Sequence, residues 1–237
     1  MVLQIEHYEL LTPEGAKGEF GTFTSDYRTW PYRQYGNRVG FYRVLEILDE
    51  LAVPVTAAIG AGAIEAHPEI VTEIVSRRYE IAVHGLTANR MITSRMTEDE
   101  ERAHIQHSRD ALRTTFGASP RGWLSAHTSH VRASARSRLV YTMDWANDEK
   151  PYRPLDAGGL IALPAPSGWD DVQTLWLRKL SADRFPRLVS DAIDALARAS
   201  AMSARAVAIG IHPWVFEAAH CIRYLRETLA VAGRVYS

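Results

Sequence analysis

The chain has 237 residues, 46% of them hydrophobic and 23% charged, with 27 basic against 28 acidic side chains and a net charge of −1. A chain of this length can bury a sizeable core without staples, and its composition is that of an ordinary globular protein. The balanced charge leaves no footprint for nucleic acid or for a membrane surface. A single cysteine, Cys221, rules out an intrachain disulfide framework and points to a reducing, cytoplasmic compartment. The opening MVLQIEHYEL has no basic flank and its apolar run breaks at Glu6 and His7, so no secretory leader is expected. No stretch approaches the roughly 18 apolar residues of a membrane span.

Short β-rich runs alternate with helical patterns along the chain. Val2–Tyr8 reads as a first strand, followed by a polar loop. Val39–Leu51 then carries Val44, Leu45, Leu48 and Leu51 at the spacing of one helical face. Val53–Ile59 is a buried strand, Pro68 opens a helix through Ser76, and Glu80–Val83 is a strand ending at His84. Thr97-Glu98-Asp99-Glu100 is a capping box that starts a helix running to Phe116 and stopping at Gly117. Strands are expected at Gly122–Ala126, Val140–Trp145, Gly159–Pro164 and Ala206–His212, with helices at Val131–Leu139, Asp183–Met202 and Ala219–Ala232. This alternation implies parallel βα units in one domain spanning residues 1–237, either an α/β barrel or a doubly wound sheet. Nothing divides it with a linker.

Nine histidines are the compositional feature that needs explaining. Histidines or carboxylates terminate several predicted strands: Glu6 and His7, His84, His127 with His130 close behind, and His212. Residues at the C-terminal ends of parallel strands face a common site. His104 and His107 lie inside the capped helix and read as a solvated face, and His67 as local structure at a helix start. There is no G-x-S-x-G elbow, P-loop, C-x-x-C or H-E-x-x-H pattern, and Gly60-Ala61-Gly62 lacks the third glycine of a dinucleotide fingerprint.

The ordered motifs Ile5-Glu6-His7-Tyr8, Tyr35-Gly36-Asn37-Arg38-Val39-Gly40, His84-Gly85-Leu86-Thr87, Arg121-Gly122-Trp123-Leu124, Asp144-Trp145-Ala146-Asn147-Asp148 and His212-Pro213 resemble the polysaccharide deacetylase superfamily. Within it they are most similar to the branch holding metal-independent allantoinases, cyclic imide hydrolases and atypical peptidoglycan deacetylases. The resemblance implies a distorted (β/α) barrel of the polysaccharide deacetylase type. It also implies Glu6 at the position of the catalytic base, His7 at a metal-ligand position, His84 at the first of two histidine ligands and His212 as general acid. Ala88 stands where the second histidine ligand would be, so the usual three-ligand zinc site is not expected. The chain departs from the branch at Gln34, at the Leu124–His130 segment with its two extra imidazoles, and at Cys221 in place of an arginine.

The expected activity is hydrolysis of a C–N bond in a small, cyclic amide, imide or ureide without a metal cofactor. Glu6 would be the base and His212 the acid, with His84, Asn37 and Arg38 as oxyanion donors. Trp123, His127, His130, Trp145 and Trp214 are further candidates for lining the substrate pocket, with Trp169 beside them. An alternative is a zinc-dependent N-deacetylase of a sugar or amino metabolite using His7, His84 and one of His127 or His130. A third reading is a scaffold that binds a ligand without catalysis. The partner in each case is a small molecule, and a homo-oligomer is left open.

Overall fold

The structure is a computed structural model that describes residues 1–11, 27, 29–93, 95–125, 137–165 and 168–233. Its described strands are β1 (Val2–Ile5), β2 (Thr56–Ile59), β3 (Glu80–Val83), β4 (Gly122–Trp123), β5 (Tyr141–Thr142), β6 (Ile161–Ala162) and β7 (Gly210–Ile211). They form one parallel sheet in the order β6-β5-β4-β3-β2-β1-β7. A doubly wound sheet reverses direction partway through the chain, whereas here each strand adds beside the last and β7 returns to β1. This is the winding of a barrel, open between β6 and β7. All described strands belong to it, and the (β/α) barrel expected from the motifs is the fold found.

Neighbouring parallel strands keep paired residues on one face. Leu3 and Ile5 point to the layer between sheet and helices, where they are fully buried with Phe41, Leu45, Leu48, Ile105 and Phe185. The opposite face of β1 carries Val2 and Gln4, and its register runs Gln4–Ala58–Ala82–Gly122. Val2, Ala58, Ala82, Leu124 and Met143 pack there in a small second cluster. Small alanines keep that interior narrow without filling its upper end. Lower down, the Tyr141 hydroxyl donates to Glu80 Oε1 at 3.0 Å and the Thr56 hydroxyl to Glu80 Oε2 at 2.9 Å. Gly122 makes room for the Tyr141 ring, since a Cβ there would lie 2.2 Å from it.

The helices form where the pattern placed them, with adjusted ends. The capping box at Thr97 is present with both reciprocal bonds, and the helix runs Glu98–Phe116 to a left-handed Gly117. The first helical region is more complex than the single run expected from residue 39. It comprises a helix at Thr29–Tyr35, a π-helical turn at Gly36–Gly40 and a helix at Phe41–Glu50. The long helix after residue 183 is Phe185–Ser200, and the closing helix is Ile222–Ala232. Most strands are shorter than the apolar runs that announced them: β2 and β7 start later, and β1 and β4 end earlier. The helix expected at Val131–Leu139 lies largely outside the described residues. Among the described residues, no helix is long and apolar enough to cross a membrane.

Candidate active site

Just beyond β1 the chain delivers Glu6, which is 7% exposed. It continues the face of Val2 and Gln4, so the two-residue period of the strand aims its carboxylate into the barrel mouth. Its Oε2 accepts from the Tyr8 hydroxyl at 2.7 Å and from the Trp214 indole at 3.1 Å. Its Oε1 faces His84 Nε2 at 3.3 Å, and His212 Nε2 lies 3.9 Å from Oε2. Asn37 holds the backbone here, donating its amide to the Glu6 carbonyl at 2.7 Å. Burial pushes the Glu6 carboxyl up, but the His212 charge, then the His84 and Tyr8 contacts, outweigh it and hold the group well below the usual carboxylate range.

His84 ends β3 and is oriented from behind. Its Nδ1 is 2.5 Å from the Leu124 carbonyl, which can only accept, so Nδ1 carries a proton and Nε2 is the atom presented to Glu6. The following Gly85 has φ +83°, a conformation that turns the chain away sharply, and His104 Nε2 packs beneath it, 3.4 Å from where a Cβ would be. His104 is therefore buried, and desolvation pulls its imidazole down to about 4, which corrects the expectation of a solvated pair. His107 is exposed as expected.

His212 follows β7, and two adjacent carboxylates grip it. Asp171 Oδ1 accepts from His212 Nδ1 at 2.6 Å, and Oδ2 accepts from the His212 backbone amide at 2.7 Å. Asp170 Oδ2 lies 4.0 Å from Nδ1. Asp170 Oδ1 caps the π-helical turn Val172–Leu177 by accepting from the amides of Val172 and Gln173 at 3.0 and 3.1 Å. Burial works against the imidazolium, yet Asp171, Asp170 and Glu6 outweigh it and push His212 up to about 10. Burial likewise pushes Asp171 up to about 6, against the pull of His212. Between these values His212 is a cation with Nδ1–H on Asp171 and Nε2–H turned to the site.

The Tyr35–Gly40 motif has a packing origin. A Cβ on Gly36 would lie 2.4 Å from Trp214 Cα, and one on Gly40 would lie 2.5 Å from the Pro213 carbonyl. These two glycines let the π-helical turn lie directly on the helix Pro213–Phe216 that carries Trp214. Asn37 and Trp214 thereby both reach Glu6, Asn37 at its backbone carbonyl and Trp214 at its carboxylate.

The expected candidates divide accordingly. Glu6, His84, His212, Asn37 and Trp214 converge. Arg38 is exposed, and the buried guanidinium of this segment is Arg33, 3.9 Å from the Tyr8 ring centroid and 5.2 Å from that of Trp214. Trp123 is fully buried with its indole donating to Asp144 at 3.0 Å, so it is core and offers no face to a substrate. Trp145 and Trp169 are half-buried against the main core. His127 and His130 lie outside the described residues. Residues that sequence reasoning passed over are Gln4, Tyr8, Arg33 and the Asp170–Asp171 pair. The doublet, following Ser-Gly-Trp, had a readable signal as a helix-capping acid.

His7 does not turn to His84. Its ring sits 6.3 Å from that of His67, with Cδ2 3.5 Å from where a Gly62 Cβ would be, and its Nδ1 is buried with no hydrogen-bond partner among the described residues. Among the described residues the acid and histidine groups close enough to share an ion are Glu6–His84–His212 and Asp170–Asp171–His212. The first would take Glu6, His84 and His212 together as ligands, and the second would take His212 Nδ1 from its hydrogen bond to Asp171. The described residues do not bring His7 together with His84, as the zinc alternative expected.

The family model described as polysaccharide deacetylase matches residues 27–140. Among solved structures, PuuE allantoinase superposes with a TM-score of 0.84 at 22% identity, covering 98% of this chain and 82% of that one. A probable polysaccharide deacetylase from Pseudomonas aeruginosa PAO1 gives 0.82 at 21% identity, covering 97% and 82%. BA3943, a CE4 family pseudoenzyme from Bacillus anthracis, gives 0.55 at 16% identity, covering 85% and 58%. Curated protein sequences yield no match. At these identities the structural likeness establishes the fold.

Proposed function

We propose that this chain, with its polysaccharide deacetylase match over residues 27–140 and an allantoinase among its structural neighbours, hydrolyses a C–N bond in a small cyclic amide, imide or ureide. The observation that carries the reading is the apposition of an ionised carboxylate, Glu6, and a carboxylate-backed imidazolium, His212, at 3.9 Å. An acid and a base held side by side are what amide hydrolysis needs. Attack by water requires a proton to leave the nucleophile, and expulsion of nitrogen requires one to arrive.

In this reading Glu6 accepts the proton of the attacking water. Oε2 already takes two donors, so Oε1 on the His84 side is the receiving atom. His212 gives its Nε2 proton to the leaving nitrogen while Asp171 keeps hold of Nδ1 and stabilises the charged ring. Of the expected oxyanion donors His84 is the one that meets the carboxylate, and it would donate to the oxyanion with Nε2 protonated as well as Nδ1. Asn37 serves instead by fixing the Glu6 backbone, and Arg38 faces solvent. A cyclic imide or ureide is more electrophilic than a plain acetamide and depends less on a Lewis acid. A cytoplasmic location and a small-molecule substrate belong to the same reading.

The test is a panel of allantoin, hydantoins, succinimide-type imides and N-acetyl sugars, run with metal analysis of the purified protein. Turnover of a cyclic amide by metal-free protein, abolished in Glu6→Gln, is the expected outcome. Stoichiometric zinc needed for turnover of an N-acetyl sugar would replace this reading with the deacetylase. Tight binding without turnover of any compound would make the chain a binding scaffold, as the pseudoenzyme among its neighbours illustrates for the fold.

A further inference from the structure

β1 contributes more than the base. Gln4, 5% exposed, lies two residues before Glu6 on the same face of the strand. Its Nε2 donates to Asp170 Oδ2 at 2.8 Å, across 166 residues of sequence. The oxygen it holds is the one that lies 4.0 Å from His212 Nδ1. Asp170's other oxygen is tied down by two amides of the next turn, so Gln4 closes the remaining freedom of that carboxylate.

We propose that Gln4 is a positioning residue for His212: by pinning Asp170 it holds the Asp170–Asp171 pair around the imidazole and ties acid and base to one strand. The proposal rests on the hydrolase reading for its catalytic consequence, but not for its geometry. The chemical sense of the contact matters. The amide presents its NH₂ to Asp170 as a charge-assisted hydrogen bond. The charged or titratable groups facing His212 are then Asp171 and Asp170 from the segment before the Val172–Leu177 turn and Glu6 from β1, with Trp214 against the ring at 5.9 Å between centroids. A strand whose inward residues grip both members of an acid–base pair keeps them in register even if the loop carrying Asp170 and Asp171 shifts.

The test follows the His212 ring directly, by its NMR titration and low-field Nδ1 proton, in wild type, Gln4→Met, Asp170→Asn and the double variant. Gln4→Met preserves length and removes the donor. It is expected to lower the His212 midpoint by about one pH unit, to reduce kcat about tenfold and to leave KM within about twofold. In the double variant the added effect of Gln4→Met is expected to vanish, because Gln4 acts through Asp170. An unchanged His212 titration in Gln4→Met, or additive effects in the double variant, overturns the proposal. Should Gln4→Met fail to fold, Gln4→Asn, whose amide falls a methylene short, is read the same way. The NMR arm needs no substrate: a shifted titration with no turnover of any compound supports the Gln4 link while refuting the hydrolase reading.

Discussion

Glu217 offers a measurement that needs no substrate. The residue is 2% exposed, and its Oε2 has no hydrogen-bond partner among the described residues. Its Cβ lies 2.7 Å from where a Gly40 Cβ would be, and Arg43 donates to its backbone carbonyl rather than its carboxylate. Burial pushes the carboxyl up from 4.5 to about 8, with Arg43 opposing. The folded state therefore prefers the protonated acid. Stability from this group is complete below pH 4.5 and is lost as pH rises from 4.5 toward about 8. By pH 7 the linkage amounts to about 3 kcal/mol at most, at about 1.4 kcal/mol per unit, or roughly 6–12 °C in Tm for a chain of this size. Glu217→Gln keeps the shape and cannot ionise. Any cost of its new NH₂ group is a constant offset of about 1–3 kcal/mol. The assay is urea denaturation of both proteins from pH 4.5 to 8. Their stability difference is expected to move in favour of the variant by about 4 kcal/mol across that range. Parallel curves would show that Glu217 is ionised or hydrated in the folded state and would refute the reasoning.

Three further outcomes follow from the site. Glu6→Gln is expected to lower turnover of the best substrate by about 10²–10⁴, and unchanged turnover would remove Glu6 as base. His212 carries its proton until about pH 10, so activity is expected to fall only as pH rises through that value. Asp171→Asn removes the main opposing charge and should bring that limb down by a unit or more, as a pH–rate profile would report. Gly36→Ala places a methyl 2.4 Å from Trp214 Cα, which forces the π-helical turn off its helix. A loss of about 1–3 kcal/mol on denaturation, with a larger fractional loss of activity, is expected, and a neutral result would contradict the packing account of the motif.

Local chemistry made much of the fold legible from residues alone. The Thr97–Glu100 box and Gly117 bound their helix because capping bonds are satisfied within a few residues. Glu80–Val83 and the strand–helix alternation followed from hydrophobic period, and Glu6, His84 and His212 followed from their place at strand ends. The alternation alone fits both barrel and doubly wound sheet; the motif resemblance implied the barrel, and the return of β7 to β1 bears that out. Nor did the sequence single out Arg33, which lies five residues before Arg38 in the preceding helix and is buried where Arg38 is exposed. Trp123 has the residue type of a pocket wall, yet it faces the core through its bond to Asp144. His7 and His104 changed role for a similar reason. Which neighbour an imidazole meets is set by glycines such as Gly62 and Gly85 on other segments. The grip of Gln4, Asp170 and Asp171 on His212 spans 166 and 41 residues of chain. Contacts that distant leave no periodicity behind, so the residues proposed to do the chemistry were visible in the sequence, while those that hold them in place emerged only once the strands had met.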